Sequence, residues 1–131
     1  MQTSRADRGS VTAEAVIALP VVMFTILACM QLCLLFFAQS VALAAAQEGV
    51  RAARPHGASH ASGAGVAKRY AEQTAGGFLT SISTASTSDA ATVRVTVRGR
   101  SLSLVPFLPS VEISEEAAGA IERFTTPRRT T

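Results

Sequence analysis

At 131 residues and a net charge of +3, with no tryptophan and one tyrosine, the chain has few rings on which bases could stack. Its basic residues are interspersed with acids, so nucleic-acid binding is not indicated. Both cysteines, Cys29 and Cys33, fall inside one apolar run; no disulfide can staple the rest, and what lies outside that run is too short to hold a core alone. The helix formed by the run, or other subunits, must complete the core.

In chain order, residues 1–9 form a polar leader carrying Arg5 and Arg8. From Ala15 to Gln47 no side chain is charged, far beyond the roughly 18 apolar residues that mark a membrane-spanning helix. Residues 10–54 read as one long helix, with Ala15 to Phe37 crossing the bilayer and the remainder continuing outside it. Pro20 falls in the first half, where it should kink the helix rather than end it, because lipid leaves the backbone no other partners. After Phe37 the composition shifts to alanine, and Ala42, Ala46, Gly49 and Ala53 recur at helical spacing. Such a stripe lets another backbone approach closely, although alanine is also simply a good helix former.

Pro55-His56-Gly57 ends this helix. Val66, Tyr70, Thr74 and Phe78 fall every four residues, with Ala67 and Ala71 beside them, predicting a second helix from Ser62 to about Ala75 closed by Gly76-Gly77. The Ser/Thr-rich stretch Thr80–Thr92 reads as a linker or loop. Val93, Val95 and Val97 then alternate with Arg94, Thr96 and Arg98, the period of a half-buried strand. Leu102 and Leu104 resume the alternation, but Pro106 and Pro109 make that piece an edge or a loop. Val111-Glu112-Ile113 is another candidate strand. Ala117–Phe124 fits helix or strand, with strand preferred. Residues 125–131 read as a disordered tail. The class expected is α+β: a long transmembrane helix, a second short helix and a small antiparallel sheet of about three strands. The segments are residues 1–9, 10–54, 55–92, 93–124 and 125–131.

Few constellations carry chemistry. Cys29 and Cys33 share a helix face, but two thiols do not hold a metal alone, and buried cysteines behave as small hydrophobes. His56 and His60 are four apart, yet the Pro and Gly around them oppose a helix that would present both to one ion. There is no Gly-rich phosphate loop, nucleophile–base set or paired carboxylate, so no cofactor, small-molecule substrate or enzymatic activity is expected. Glu14 stands apart. It lies at the front edge of the apolar run, where a charge costs roughly 3 kcal/mol if carried to mid-bilayer. The bland account, an acid favoured by the helix dipole in a first turn, competes with a functional one.

The order of basic leader, Gly9-Ser10, three residues, Glu14 and an apolar helix containing Pro20 resembles the processing region of type IV prepilins. That resemblance implies cleavage between Gly9 and Ser10 by a prepilin peptidase, with Glu14 as the fifth mature residue. Cleavage would create an α-amino group at Ser10, positively charged at neutral pH with a pKa of roughly 7.7 to 8. In a stack of parallel helices it could pair with Glu14 of a neighbour. Gln39–Arg54, QSVALAAAQEGVRAAR, is similar to the segment after the membrane helix in TadE-like proteins of the tight-adherence pilus. There Gln47-Glu48-Gly49-Val50-Arg51-Ala52-Ala53 stands where the family typically has Arg-Glu-Gly-Ala-Arg-Ala-Ala. The strand VRVTVRG, the Leu-Val-Pro segment and Glu122-Arg123-Phe124 also fit. Where the family often has an aromatic after the glutamate, this chain has Ala15.

The resemblance implies a minor pilin or pseudopilin of a tight-adherence (Flp-type) pilus or type II-type secretion apparatus. Its implied partners are the membrane, a prepilin peptidase, sibling pilins or pseudopilins and the Tad inner-membrane platform. Charges near the apolar run, Arg5 and Arg8 on one side and the more distant Arg51 and Arg54 on the other, place the amino end in the cytoplasm. The chain is then a single-pass inner-membrane protein with its carboxyl-terminal region outside the cytoplasm. Two alternatives are an exported binding protein cut before Gln47 at Ala44-Ala45-Ala46, and a bitopic anchor unrelated to pili. The apolar run exceeds the 7 to 15 residues of a signal-peptide core.

Overall fold

The computed structural model describes residues 6–55 and 57–123. Its elements are α1 (Ala6–Ala53), α2 (Ser62–Ala75), β1 (Leu79–Ser88), β2 (Thr92–Ser101) and β3 (Glu112–Ala120). The strands form one antiparallel sheet in the order β1-β2-β3. The architecture is α+β, as expected. The expectations for Met1–Arg5, His56, Phe124 and the tail lie outside the described residues.

α1 is continuous through Pro20 and changes character along its length. From Val11 to Phe37 its large apolar side chains are mostly exposed, whereas beyond it Ala38, Val41, Ala42, Ala45, Ala46, Val50 and Ala53 are buried. These positions fall on one face at intervals of three and four, the spacing of a helix packed on one side. The alanine-rich half of the helix thus completes the core that the rest of the chain is too short to make.

α2 faces that stripe with its own: Gly63, Ala67, Ala71 and Ala75 are its buried residues. Val66 and Tyr70 flank them, half-buried, and Thr74 is exposed. Small residues on both helices let the two backbones nearly touch. A Cβ at Gly49 would lie 2.6 Å from the Gly63 carbonyl oxygen, and one at Gly63 would lie 2.8 Å from that of Gly49. α2 ends where Gly76 turns left-handed at φ 54°, a conformation in which glycine carries no Cβ penalty. The carboxyl end of α1 is capped from outside, because His60 Nδ1–H donates to the Ala53 carbonyl at 3.0 Å.

β2 is the centre of the sheet. Val93, Val95 and Val97 are fully buried against the helices, while Arg94, Arg98 and Arg100 point outward. Two expectations need correction. The Ser/Thr stretch taken as a linker is strand β1 up to Ser88, and the boundary placed between residues 92 and 93 falls in a β-hairpin. The reason is polar satisfaction. Thr84 Oγ1 donates to the Ala64 carbonyl (2.9 Å) and Ser86 Oγ to that of His60 (2.7 Å), so the inward face of β1 meets α2 and its preceding turn through hydroxyls. A register shift between Thr80 and Ser83, with Ser81 at φ 53°, moves the inward phase from Leu79 to Ile82. Second, Val111–Ile113 and Ala117–Phe124 are not two strands. β3 is one strand from Glu112 to Ala120, and Ile121–Arg123 follows as irregular chain.

Leu102–Val111 is a loop, one of the two outcomes that its prolines left open. It turns back along α1 toward Phe24 and Gln31. At the same end of the sheet the rings of Phe37 and Phe78 meet edge to face with centroids 5.7 Å apart. At the opposite end Arg54 closes the fold. Its Nε donates to the Ala120 carbonyl at 3.0 Å, its own carbonyl accepts from Glu122 N at 3.1 Å, and its guanidinium lies 3.8 Å from the Glu122 carboxylate.

Candidate functional site: the exposed apolar helix and the acid near its start

The sheet and α2 cover only the second half of α1, leaving Val11–Phe37 as a projecting apolar rod. Ile17 is 71% exposed and Phe24 69%, values that no water-soluble surface sustains over such a length. α1 is long and apolar enough to cross a membrane. Two of its hydroxyls are satisfied within the helix: Thr25 Oγ1 donates to Val21 O and Ser40 Oγ to Phe36 O, both at 2.8 Å. That is the arrangement a hydroxyl needs where lipid supplies no partner.

Glu14 is exposed on this rod, and no other acid follows on α1 until Glu48. The backbone is helical across Gly9 and Ser10, so Glu14 sits four and five residues along the same helix. In a membrane its carboxylate would stand beside hydrocarbon, where an unpaired polar group is costly.

The four small residues singled out from the sequence are brought together. Ala42, Ala46 and Ala53 are completely buried and Gly49 is buried between them. The backbone that approaches them is the chain's own α2, with Val95 of β2 also reaching Gly49. The stripe is therefore filled within the subunit. Cys29 and Cys33 are exposed thiols on α1 beside Met30. His60 is committed to capping α1 and His56 lies outside the described residues. Among the described residues no group of His, Cys, Asp or Glu could hold a metal ion.

One residue of the site was missed from sequence. Gln31 is the one amide between Ala15 and Phe37, and it clamps the Leu102–Val111 loop. Its Nε2 donates to the Leu102 carbonyl at 3.3 Å and its Oε1 accepts from Leu104 N at 3.0 Å. An amide so placed is itself the signal, because hydrocarbon offers it no hydrogen-bonding partner.

A single apolar helix, long enough to cross a membrane and projecting from a small α+β head, is the architecture of a single-pass membrane protein. The family model described as TadE-like protein matches residues 9–51, which runs from Gly9 through Glu14 to Arg51 and takes in the rod and most of the small-residue stripe. No curated protein and no solved structure matches the chain. The match covers about a third of the chain and coincides with the helix that is long and apolar enough to cross a membrane.

Proposed function

We propose that this protein is a TadE-like pseudopilin, a non-enzymatic single-pass protein of the inner membrane that acts in assembly of a tight-adherence (Flp-type) pilus or type II-type secretion apparatus. The observation that carries the reading is the coincidence of the match with the rod: it begins at Gly9 and includes Glu14. A prepilin peptidase cuts between Gly9 and Ser10, and the new amine at Ser10 meets Glu14 of a neighbouring helix, a sibling pilin or pseudopilin. The pair sets the axial register, while the exposed apolar side chains supply lateral packing on the Tad inner-membrane platform. The amino end faces the cytoplasm and the head lies outside it.

Support for a retained helix comes from the core. Cleavage before Gln47, as in a signal peptide, would remove Ala38, Val41, Ala42, Ala45 and Ala46, all buried, and leave α2 and the sheet without their packing surface. The test is to sequence the amino terminus of the mature protein from a peptidase-competent host. A start at Ser10 is expected; an uncut chain or a start near Gln47 overturns the reading. Glu14→Gln should abolish pilus assembly while leaving membrane insertion intact, and unchanged assembly would remove the electrostatic argument.

A further inference from the structure

We infer that the Leu102–Val111 loop is a second membrane-contacting element, which dips into the leaflet nearer the sheet and places the bilayer surface at the level of Gln31. The stretch from Ser101 to Val111 contains no charged residue. It is flanked by Arg100 and Glu112, which are directly opposed in the β2–β3 register, so charge begins where the loop ends. Its side chains face outward: Phe107 is 92% exposed, with Leu104, Leu108 and Val111 exposed beside it. An aromatic so bare, at the tip of an uncharged loop, is unfavourable in water and suited to a lipid interface.

The loop's backbone is also prepared for such a place. Pro106 and Pro109 carry no N–H. Gln31 takes the Leu102 carbonyl and the Leu104 N–H, Leu108 N donates to Val105 O (3.1 Å), and Ser103 Oγ donates to the Val105 and Leu108 carbonyls (3.1 and 2.9 Å). These bonds pair part of the loop's backbone, and the N–H groups outside them suit the interfacial layer, which water still reaches, rather than the hydrocarbon centre. Val105 and Leu108 meanwhile line an apolar groove with Phe24, Leu27, Ala28 and Leu32 of α1, so the loop's apolar surface is continuous with that of the spanning helix.

Depth follows from helix rise. Were the outer surface at Phe37, the groove that the loop shares with Phe24 would reach about 20 Å down, beyond the bilayer midplane, too deep for an irregular segment. With the surface at Gln31, that groove reaches about 10 Å down, within the depth to which interfacial segments bury. Val11–Met30 then crosses the hydrocarbon, about 30 Å. This shifts the span toward the amino end of the expected Ala15–Phe37 and brings Glu14 inside the apolar layer. The inference rests on α1 spanning a bilayer and not on processing or pilus assembly.

The chain contains no tryptophan, so single reporters can be introduced at Ile17, Thr87 and Phe107. The full-length protein is reconstituted in phosphatidylethanolamine/phosphatidylglycerol vesicles containing lipids brominated on the acyl chains. Ile17→Trp is expected to be blue-shifted and quenched, reporting the span, and Thr87→Trp, on the far half of β1, to be neither. Phe107→Trp is expected to shift and lose intensity like Ile17→Trp, with stronger quenching by bromines near the headgroup than by those near the chain end. If Ile17→Trp is quenched but Phe107→Trp emits as in water, the loop inference fails and the span stands. If Ile17→Trp is not quenched, the spanning reading fails first. A Phe107→Trp signal that is blue-shifted, unquenched by bromolipid and lost on dilution into excess lipid would assign the loop to a second copy of the chain and overturn the proposal.

Discussion

Gly49→Ala sets two effects against each other. Helix propensity favours alanine over glycine by about 1 kcal/mol in a helix interior, so a helix considered alone would be stabilised. In this fold the added methyl would stand 2.6 Å from the Gly63 carbonyl oxygen, 3.0 Å from Ala67 Cβ and 3.0 Å from Val95 Cγ1, where ordinary contact begins near 3.4 Å. The nearest atom is backbone, so relief requires α2 to retreat as a body. Overpacking of this kind costs about 1–3 kcal/mol, and with three contacts at once we take the upper half of that range. The net expectation is destabilisation by about 1–2 kcal/mol, a factor of about 5–30 in the opening equilibrium. Because α1 dominates the circular dichroism, the assay is amide hydrogen exchange of α2 and β2 in detergent micelles, where exchange should accelerate by that factor. Gly65→Ala is the control. A Cβ there meets nothing within 4 Å, so the propensity term acts alone and exchange should slow by up to about fivefold. Gly49→Ala exchanging as slowly as the parent chain would refute the close helix crossing on which the packing account rests.

Three further outcomes follow from particular contacts. Thr84→Val keeps shape and strand propensity but leaves the Ala64 carbonyl without its 2.9 Å donor; it should lower protection of β1 by about 1 kcal/mol, and Thr84→Ser should restore much of it. Arg54→Ala removes the bond to Ala120 and the pairing with Glu122. Both are solvent-accessible, so a loss of about 1 kcal/mol, confined to exchange at the end of β3, is expected. Asp89 accepts from Ala91 N and Thr92 N at 2.9 and 2.8 Å, and these bonds, with lesser help from Arg94, hold its carboxyl below the ordinary 3.8. A group lowered on folding stabilises above its unfolded value and loses that contribution as pH falls through its folded one. Exchange in the β1–β2 turn should therefore be flat from neutral pH down to about pH 4 and should rise below it, after correction for intrinsic rates. In Asp89→Ala the turn should be looser throughout and should lack that added rise.

The head and the rod were unequally readable from sequence, for reasons visible at single residues. An uncharged run from Ala15 to Gln47 admits essentially one solution, because backbone in lipid must hydrogen-bond to itself. α2 was legible because its glycines mark its end, and β2 because Val93, Val95 and Val97 alternate with polar residues. β1 was not. Its inward phase shifts between Leu79 and Ile82, and the inward positions that follow are Thr84 and Ser86, whose hydroxyls meet the carbonyls of Ala64 and His60; no period in the sequence distinguishes a hydroxyl that faces a helix from one that faces water. A stripe of small residues likewise states that something comes close without stating what. Only the folding of α2 back onto Gly49 made the neighbour part of the same chain, and only the clamp between Gln31 and the Leu102–Val111 loop brought a segment seventy residues away down onto the apolar rod. Local pattern determined where backbone must be helical and which faces are apolar, since both depend on near neighbours in sequence. Tertiary structure decided what fills each face, since that depends on pairings across long loops, where polar groups can replace apolar ones without leaving a periodic trace.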